Sequence, residues 1–303
     1  MRSRRRVRCP RSRGGRVLTQ PERVVDALGH EWRRSLGRFR RVAGTLPRAL
    51  RSVVGDPIGA ATGFADATAS IGRLLRPATT PLSPIMRERS LSVRFDTMTV
   101  PVDRLKAAAR RVHGKLNDAF VAGVTGGLRR YHESHGVNVP ALRMSMPINV
   151  RERETAAVAG NQFVPARFEV PVGIVPAAER MAAIRDLVGR QRGEPALRLI
   201  DEMAGLLNRL PLAVSTALFG AMLKGIDFVT SNVPGPRFEM YVAGARLEGV
   251  VGYGPLTGAA ANVTLFSYLD RAHLGISTDP AAVPDPGAFV RCLAEGFDEV
   301  LGA

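Results

Sequence analysis

Ser231 and Asn232 stand at the end of an apolar run (Ile226, Phe228, Val229) and directly ahead of Val233-Pro234-Gly235-Pro236. A hydroxyl and a carboxamide beside so stiff a turn could hydrogen-bond a substrate carbonyl or amide. Pro234 and Pro236 fix φ, and Gly235 between them can take the positive φ that a tight reversal demands. Equally, Asn232 could spend its hydrogen bonds on the turn itself, side chain to backbone; the residues alone leave the two open. Ser231 is not set up as a nucleophile, because no GxSxG elbow occurs in the chain.

The other chemistry-bearing groups yield less. His132 and His135, three apart, could face one metal, but the HExxH spacing is missing and no third ligand is near, so they read as a solvated helix end. Cys9 and Cys292 form no CxxC, and two thiols in 303 residues suggest a reducing compartment. Gly252-Tyr253-Gly254-Pro255-Leu256-Thr257-Gly258 resembles a phosphate loop only superficially. Pro255 removes an amide that a phosphate would use, and the stretch reads as a turn between strands. Asn117-Asp118 precedes a long apolar periodicity and reads as a helix cap. No residue stands out as catalytic and no cluster as metal-binding.

These candidates must be positioned by the elements around them. Asp103 to His113 is helical and stopped by Gly114. The next helix carries Phe120, Val121, Val124, Leu128 and Tyr131 on one face and stops at Gly136. Leu142, Met144, Met146, Ile148 and Val150 alternate as a strand, and Leu91, Val93 and Phe95 as a half-buried one. Phe163 to Val172 is extended, and Met181, Ile184, Leu187 and Val188 form a helical stripe ending near Gly193. Short β-type runs follow the proline turn at Met240–Val242, Leu247–Val251, Val263–Leu269 and Leu274–Ile276. Asp285 then caps a last helix with Pro286 at its first position. Strands and helices in this order indicate an α/β fold.

Charge is distributed unevenly. The net charge is +16, yet residues 1–51 hold 16 Arg against Glu22, Asp26 and Glu31, which is +13 and leaves only +3 for residues 52–303. The basicity belongs to an arm, so nucleic acid is not the expected partner, whereas an anionic membrane surface could be met through residues 1–51. A solvated tail fits the same residues. Residues 1–20 read as a disordered basic arm and 21–76 as a helical linker segment. Pro77 to Pro84, with three prolines, forms a stiff boundary before the lobe spanning 77–303. Leu210 to Leu223 is the longest uncharged apolar stretch and is too short to span a bilayer. No secretory leader is readable, and the expected location is cytoplasmic or peripheral, at the inner face of the membrane or on lipid droplets.

Several motifs now fall in one order: Pro81-Leu82 with Arg87, Lys115-Leu116-Asn117-Asp118, Met146-Pro147-Ile148-Asn149-Val150-Arg151, Gly160-Asn161-Gln162-Phe163, Ser231 to Pro236, Phe266-Ser267-Tyr268, and Asp279 with Pro284-Asp285. From about Thr79 onward the chain resembles the C-terminal half of the bacterial wax ester synthase/diacylglycerol acyltransferase family. The resemblance implies a chloramphenicol-acetyltransferase-like C-terminal lobe, a mixed sheet with covering helices, behind the basic, helical N-terminal arm. It further implies acyl-CoA as substrate rather than a bound cofactor, and diacylglycerol or a long-chain alcohol as acceptor. By position, Ser231, Asn232, Pro234, Gly235 and Pro236 become candidates to line the substrate tunnel. The family's HHxxxDG, whose second histidine deprotonates the acceptor hydroxyl, is matched by none of His30, His113, His132, His135 and His273. The chain by itself is therefore expected to be incomplete and inactive, with a separately encoded N-terminal lobe as one source of the base. A non-catalytic lipid- or membrane-binding module is the alternative.

Overall fold

The computed structural model describes residues 80–149, 163–192 and 224–303, all inside the compact unit Asp66–Ala303. The arm 1–20, the linker 21–76, the Leu210–Leu223 stretch and Gly160-Asn161-Gln162 lie outside the described residues. In chain order the elements are β1 (Arg94–Pro101), α1 (Val102–Arg111), α2 (Leu116–Ser134), β2 (Ala141–Asn149), β3 (Phe163–Pro171), α3 (Ala177–Arg192), β4 (Phe228–Pro234), β5 (Tyr241–Val242), β6 (Ala245–Arg246), β7 (Ala261–Tyr268), β8 (Arg271–Thr278) and α4 (Pro286–Gly302).

Six of the strands form one mixed sheet in the order β1-β8-β7-β4-β2-β3, and β5 and β6 form a small hairpin. The middle of the sheet is parallel, β2 with β4 and β4 with β7, while β1–β8, β8–β7 and β2–β3 are antiparallel. Strand periodicity explains the layering. Ala261, Val263 and Leu265 of β7, Ala272, Leu274 and Ile276 of β8, Leu142 and Met144 of β2, and Phe228 of β4 are buried in one core with Leu105, Phe120, Leu128, Ile184, Phe289 and Phe297 of the helices. The intervening residues of β7 and β8 carry Asn262, Thr264, His273 and Ser277 to the opposite face. There the loop after β6 lies across them. Asn262 Nδ2 donates to the Pro255 carbonyl at 2.8 Å and Ser277 Oγ to the Gly254 carbonyl at 3.0 Å. A Cβ on Gly275 would sit 2.0 Å from the Gly252 oxygen, so this strand position must be glycine for the loop to lie so close.

Two expected runs are corrected. Leu247–Val251 is not a strand but part of that covering loop. Leu91, Val93 and Phe95 do not alternate into the core: all three are exposed, and β1 starts at Arg94 and turns Val100 inward instead. The alternation was genuine but its apolar phase faces outward, with Phe95 edge-on to Tyr253 of the covering loop at 4.8 Å.

The helix ends follow local chemistry. Asp285 Oδ1 accepts from Ala288 N at 2.8 Å with Pro286 behind it, as a first-turn cap should. Gly136, at φ +72°, lies just past the end of α2. At its start the cap is Lys115 with Asp118 at the third position, whose Oδ2 accepts from Lys115 N at 2.7 Å. Asp118 thus holds the helix start, while Asn117 does not cap: its amide reaches the Met146 sulfur at 3.5 Å.

Candidate functional site

Parallel strands β4 and β7 run side by side, paired from Phe228↔Ala261 to Pro234↔Ser267. Their carboxyl ends meet the start of α1, the kind of location where open α/β sheets take ligands. A cavity of about 190 Å³ opens there, lined by Val102, Lys106, Leu116, Asn232, Pro234, Gly235, Arg237, Ser267 and Leu269. Three of the five tunnel candidates, Asn232, Pro234 and Gly235, are among its walls; Ser231 and Pro236 are not. Neighbouring residues of a strand point to opposite faces, which separates Ser231 from Asn232.

The turn is built differently from the sequence expectation. Gly235 has no positive φ; glycine is required because a Cβ would lie 2.0 Å from the Ser267 carbonyl oxygen and 2.6 Å from the Phe266 ring. Gly235 N donates to Ser267 Oγ at 3.1 Å, so the two strand ends are stitched at the cavity wall. Asn232 does not hold the turn: among the described residues its amide makes no hydrogen bond, although it lines the cavity. Arg237 also lines the cavity without an ion pair or hydrogen bond among the described residues. Lys106 has one ionic partner there, the well-exposed Asp103, at 3.6 Å. A carboxamide and two cations thus face a small cleft whose other walls are mainly apolar, an arrangement that suits an anion-bearing ligand with an apolar stem. No histidine or carboxylate is among the described residues lining it.

At the other end of β4 and β7 from this cleft lies a polar frame that residue spacing did not disclose. Asp227, just before β4, is buried and accepts from Leu82 N at 3.2 Å, Ser83 N at 2.9 Å and Arg143 N at 2.7 Å. It ties the segment after the proline boundary to β2 and β4 at once. Arg89 extends the tie, donating to the Gly258 carbonyl at 2.7 Å. Asp279 accepts from Ser90 N and Ser90 Oγ, both at 2.7 Å, and from Ala281 N at 2.9 Å.

His132 requires correction: it is fully buried, not a solvated helix end. Its Nδ1 lies 2.8 Å from the Leu128 carbonyl, which can only accept, so Nδ1 carries the proton and Nε2 accepts from Ser83 Oγ at 2.8 Å. Ser83 Oγ also accepts from Met86 N at 3.0 Å, so hydroxyl and ring are spent on structure. Of that pair, His135 is the exposed member. Burial lowers the His132 imidazole below its ordinary 6.5. A depressed folded-state value means stability that is present above the unfolded value and lost as pH falls through the folded one. The denaturant midpoint is therefore expected to drop as pH falls below the ordinary histidine value of about 6.5. His132→Asn should be less stable at pH 7 and lose that part of the pH slope; an unchanged slope in the variant counts against the assignment.

His273 lines a second cleft of about 440 Å³ with Glu239, Arg246, Leu247, Glu248, Leu269 and Arg271. Thr99 Oγ1 stands 3.3 Å from its Nδ1, while its buried Nε2 has no hydrogen-bond partner. Burial, then Arg271, lowers its pKa.

Residues 159–300 match the family model described as the WS/DGAT C-terminal domain. A relative from Mycobacterium tuberculosis (strain H37Rv), provisionally named a diacylglycerol O-acyltransferase, is 37% identical over 265 residues, 88% of this chain and 53% of its own. The chain spans about half the length of the curated relatives it matches. Among solved structures, a wax ester synthase/diacylglycerol acyltransferase from Marinobacter aquaeolei VT8 superposes with a TM-score of 0.56 at 20% identity, covering 82% of this chain and 58% of that one. A condensation-domain structure from the enacyloxin polyketide synthase gives 0.51 at 16% identity, covering 83% and 49%. The mixed sheet with covering helices is thus the chloramphenicol-acetyltransferase-like fold that the motif order implied.

Proposed function

We propose, from the match of residues 159–300 to the WS/DGAT C-terminal domain model, that this chain is the C-terminal lobe of an O-acyltransferase carrying a long acyl group from CoA to diacylglycerol or a fatty alcohol. The observation that carries the reading is the cleft at the ends of β4 and β7. It presents the unpartnered Asn232 amide and the cations Lys106 and Arg237 beside the family's Ser231–Pro236 turn. A thioester donor has matching chemistry: an amide-rich stem for the carboxamide and phosphate charge for the cations. The reaction also needs a group that takes the acceptor hydroxyl's proton as oxygen attacks the thioester carbonyl and sulfur leaves as a thiol. No HHxxxDG occurs in these 303 residues, and no histidine is among the described cleft residues. The base is then brought by another lobe, and the chain alone is a binding half.

The test is release of CoA thiol from a long-chain acyl-CoA in the presence of diacylglycerol. Little or no release is expected from the 303-residue chain alone, with turnover appearing when an HHxxxDG-bearing lobe is supplied. Robust turnover by the chain alone overturns the proposed division of labour. No helix among the described residues is long and apolar enough to cross a membrane. Attachment to anionic lipid through residues 1–51, at the inner membrane face or on droplets, belongs to the same proposal, and co-sedimentation with anionic vesicles should weaken when those residues are deleted.

A further inference from the structure

Arg237 lines the cleft at the end of β4 and is without an ionic or hydrogen-bonding partner among the described residues. Lys106 reaches the same cleft from α1, a different element, and its one described ionic partner is a carboxylate that is 83% exposed. Two cations from separate elements converging on a cleft without a carboxylate repel one another unless an anion comes between them. The remaining walls define what the anion is attached to. Val102, Leu116, Pro234 and Leu269 are apolar, Asn232 offers an amide that can donate and accept, and a cleft of about 190 Å³ holds a slender stem rather than a whole nucleotide.

We infer that Lys106 and Arg237 form a phosphate-recognition pair that selects thioester donors by the phosphate ester at the head of their pantetheine stem, with Asn232 meeting the stem's amides. This rests on the thioester reading above and goes beyond it by assigning donor selectivity to two residues outside the proline turn. Two sources of that chemistry exist: free CoA and the phosphopantetheine arm of a carrier protein. Arg237 suits the role through its forked donors, and Lys106 as a point charge.

Binding to the 303-residue chain, measured by isothermal titration calorimetry at low ionic strength, separates the alternatives. The probes are CoA, 4′-phosphopantetheine and pantetheine, and the proteins are wild type, Arg237→Ala, Lys106→Ala and Arg246→Ala. Arg246 lines the second cleft and serves as control. Wild type should bind CoA and phosphopantetheine about tenfold or more tightly than pantetheine, since a charge-assisted hydrogen bond carries about that discrimination. Arg237→Ala and Lys106→Ala should each close most of that gap and leave pantetheine binding unchanged; Arg246→Ala should change neither. An equal gap for CoA and phosphopantetheine supports the pair and admits both free CoA and carrier-borne donors; a gap for CoA alone places the recognised charge beyond the stem phosphate and overturns the pair. Equal binding of all three probes to wild type, or a gap that survives both substitutions, overturns the pair and leaves the thioester reading standing. Binding of none of the probes overturns both.

Discussion

Glu299→Ala is expected to destabilise the lobe by about 3–5 kcal/mol, the cost of leaving a buried cation without its partner. Glu299 Oε2 accepts from Arg180 Nη2 at 2.7 Å, and Oε1 accepts from Arg129 Nη2 at 2.9 Å and Arg130 Nη2 at 2.6 Å. Arg180 is fully buried, and its other donors reach the carbonyls of Ala122, Ile174 and Val175 at 3.1, 2.8 and 3.0 Å. Its shape and hydrogen bonds are therefore satisfied, and Glu299 supplies the balancing charge. Arg129 and Arg130 keep Glu133 and Glu295 as second partners, at 2.8 and 3.1 Å, so it is Arg180 that loses its one carboxylate among the described residues. One carboxylate from α4 thus holds two guanidiniums of α2 and one of α3. Its loss should lower the thermal midpoint by roughly 10 °C for a domain of this size. Glu295→Gln, which removes only the half-exposed pair with Arg130 at 3.1 Å, should cost less than about 1 kcal/mol.

The same carboxyl gives the prediction a signature in pH. Burial alone would raise the Glu299 pKa, but the hydrogen bonds and charges of Arg180 and Arg130 outweigh burial and hold it below its ordinary 4.5. A lowered carboxylate contributes stability that is present above its unfolded value and is lost as pH falls through the folded value. Wild type should therefore lose ground to Glu299→Ala below about pH 4.5, a window separate from that of His132. A variant that parallels wild type down to acid pH, or that matches its stability at pH 7, removes Glu299 from this role.

The uneven legibility of the sequence follows from which interactions are local. The apolar face of α2, the caps at Asp118 and Asp285, and the stop at Gly136 rest on residues within a turn or two of one another, so spacing reveals them. The proline turn was legible for the same reason. Its partner Ser267 was not, because Gly235 and Ser267 are brought together only by the parallel pairing of β4 with β7. Asp227, Arg180 and Glu299 are tied across long stretches of chain: 145 positions separate Leu82 from Asp227, and 119 separate Arg180 from Glu299. Nothing near a lone acid in the chain announces a tie of that span. Even the period-2 signal in Leu91-Val93-Phe95 misled, since alternation fixes that two faces exist and not which one the core takes. Arg237 was half legible, lying one residue past the turn, whereas Lys106 looks like any solvated lysine of an amphipathic helix until the fold sets it beside Asn232.

Gly296→Ala sets two magnitudes against each other. Helix propensity favours alanine over an interior glycine by about 1 kcal/mol, so an isolated α4 would gain. In the lobe, however, a Cβ at 296 would stand 2.3 Å from Gly127 N and 2.5 Å from Gly123 O, both backbone atoms of α2 that no rotamer change can move. The approach is reciprocal, because a Cβ on Gly127 would meet the Leu293 Cα at 2.6 Å and one on Gly123 the Phe297 ring at 2.6 Å. Accommodation therefore means parting the helices by about an ångström along their whole contact, where Phe120 stacks on Phe297 and close-packed interiors do not absorb such a gap. Overpacking of this kind should exceed the propensity gain and leave Gly296→Ala less stable by about 3 kcal/mol. Gly189→Ala in α3, where nothing lies within 4 Å of the added carbon, has the propensity gain alone and should be stabilised by about 0.5–1 kcal/mol. Opposite signs for one substitution type in two helices of one lobe, read from denaturant midpoints, are the expected outcome. If Gly296→Ala also stabilises, the close crossing of α2 and α4 is wrong. With it goes the support that α2 gives Leu116 at the wall of the cleft at the ends of β4 and β7, since that residue begins the helix Gly296 packs against.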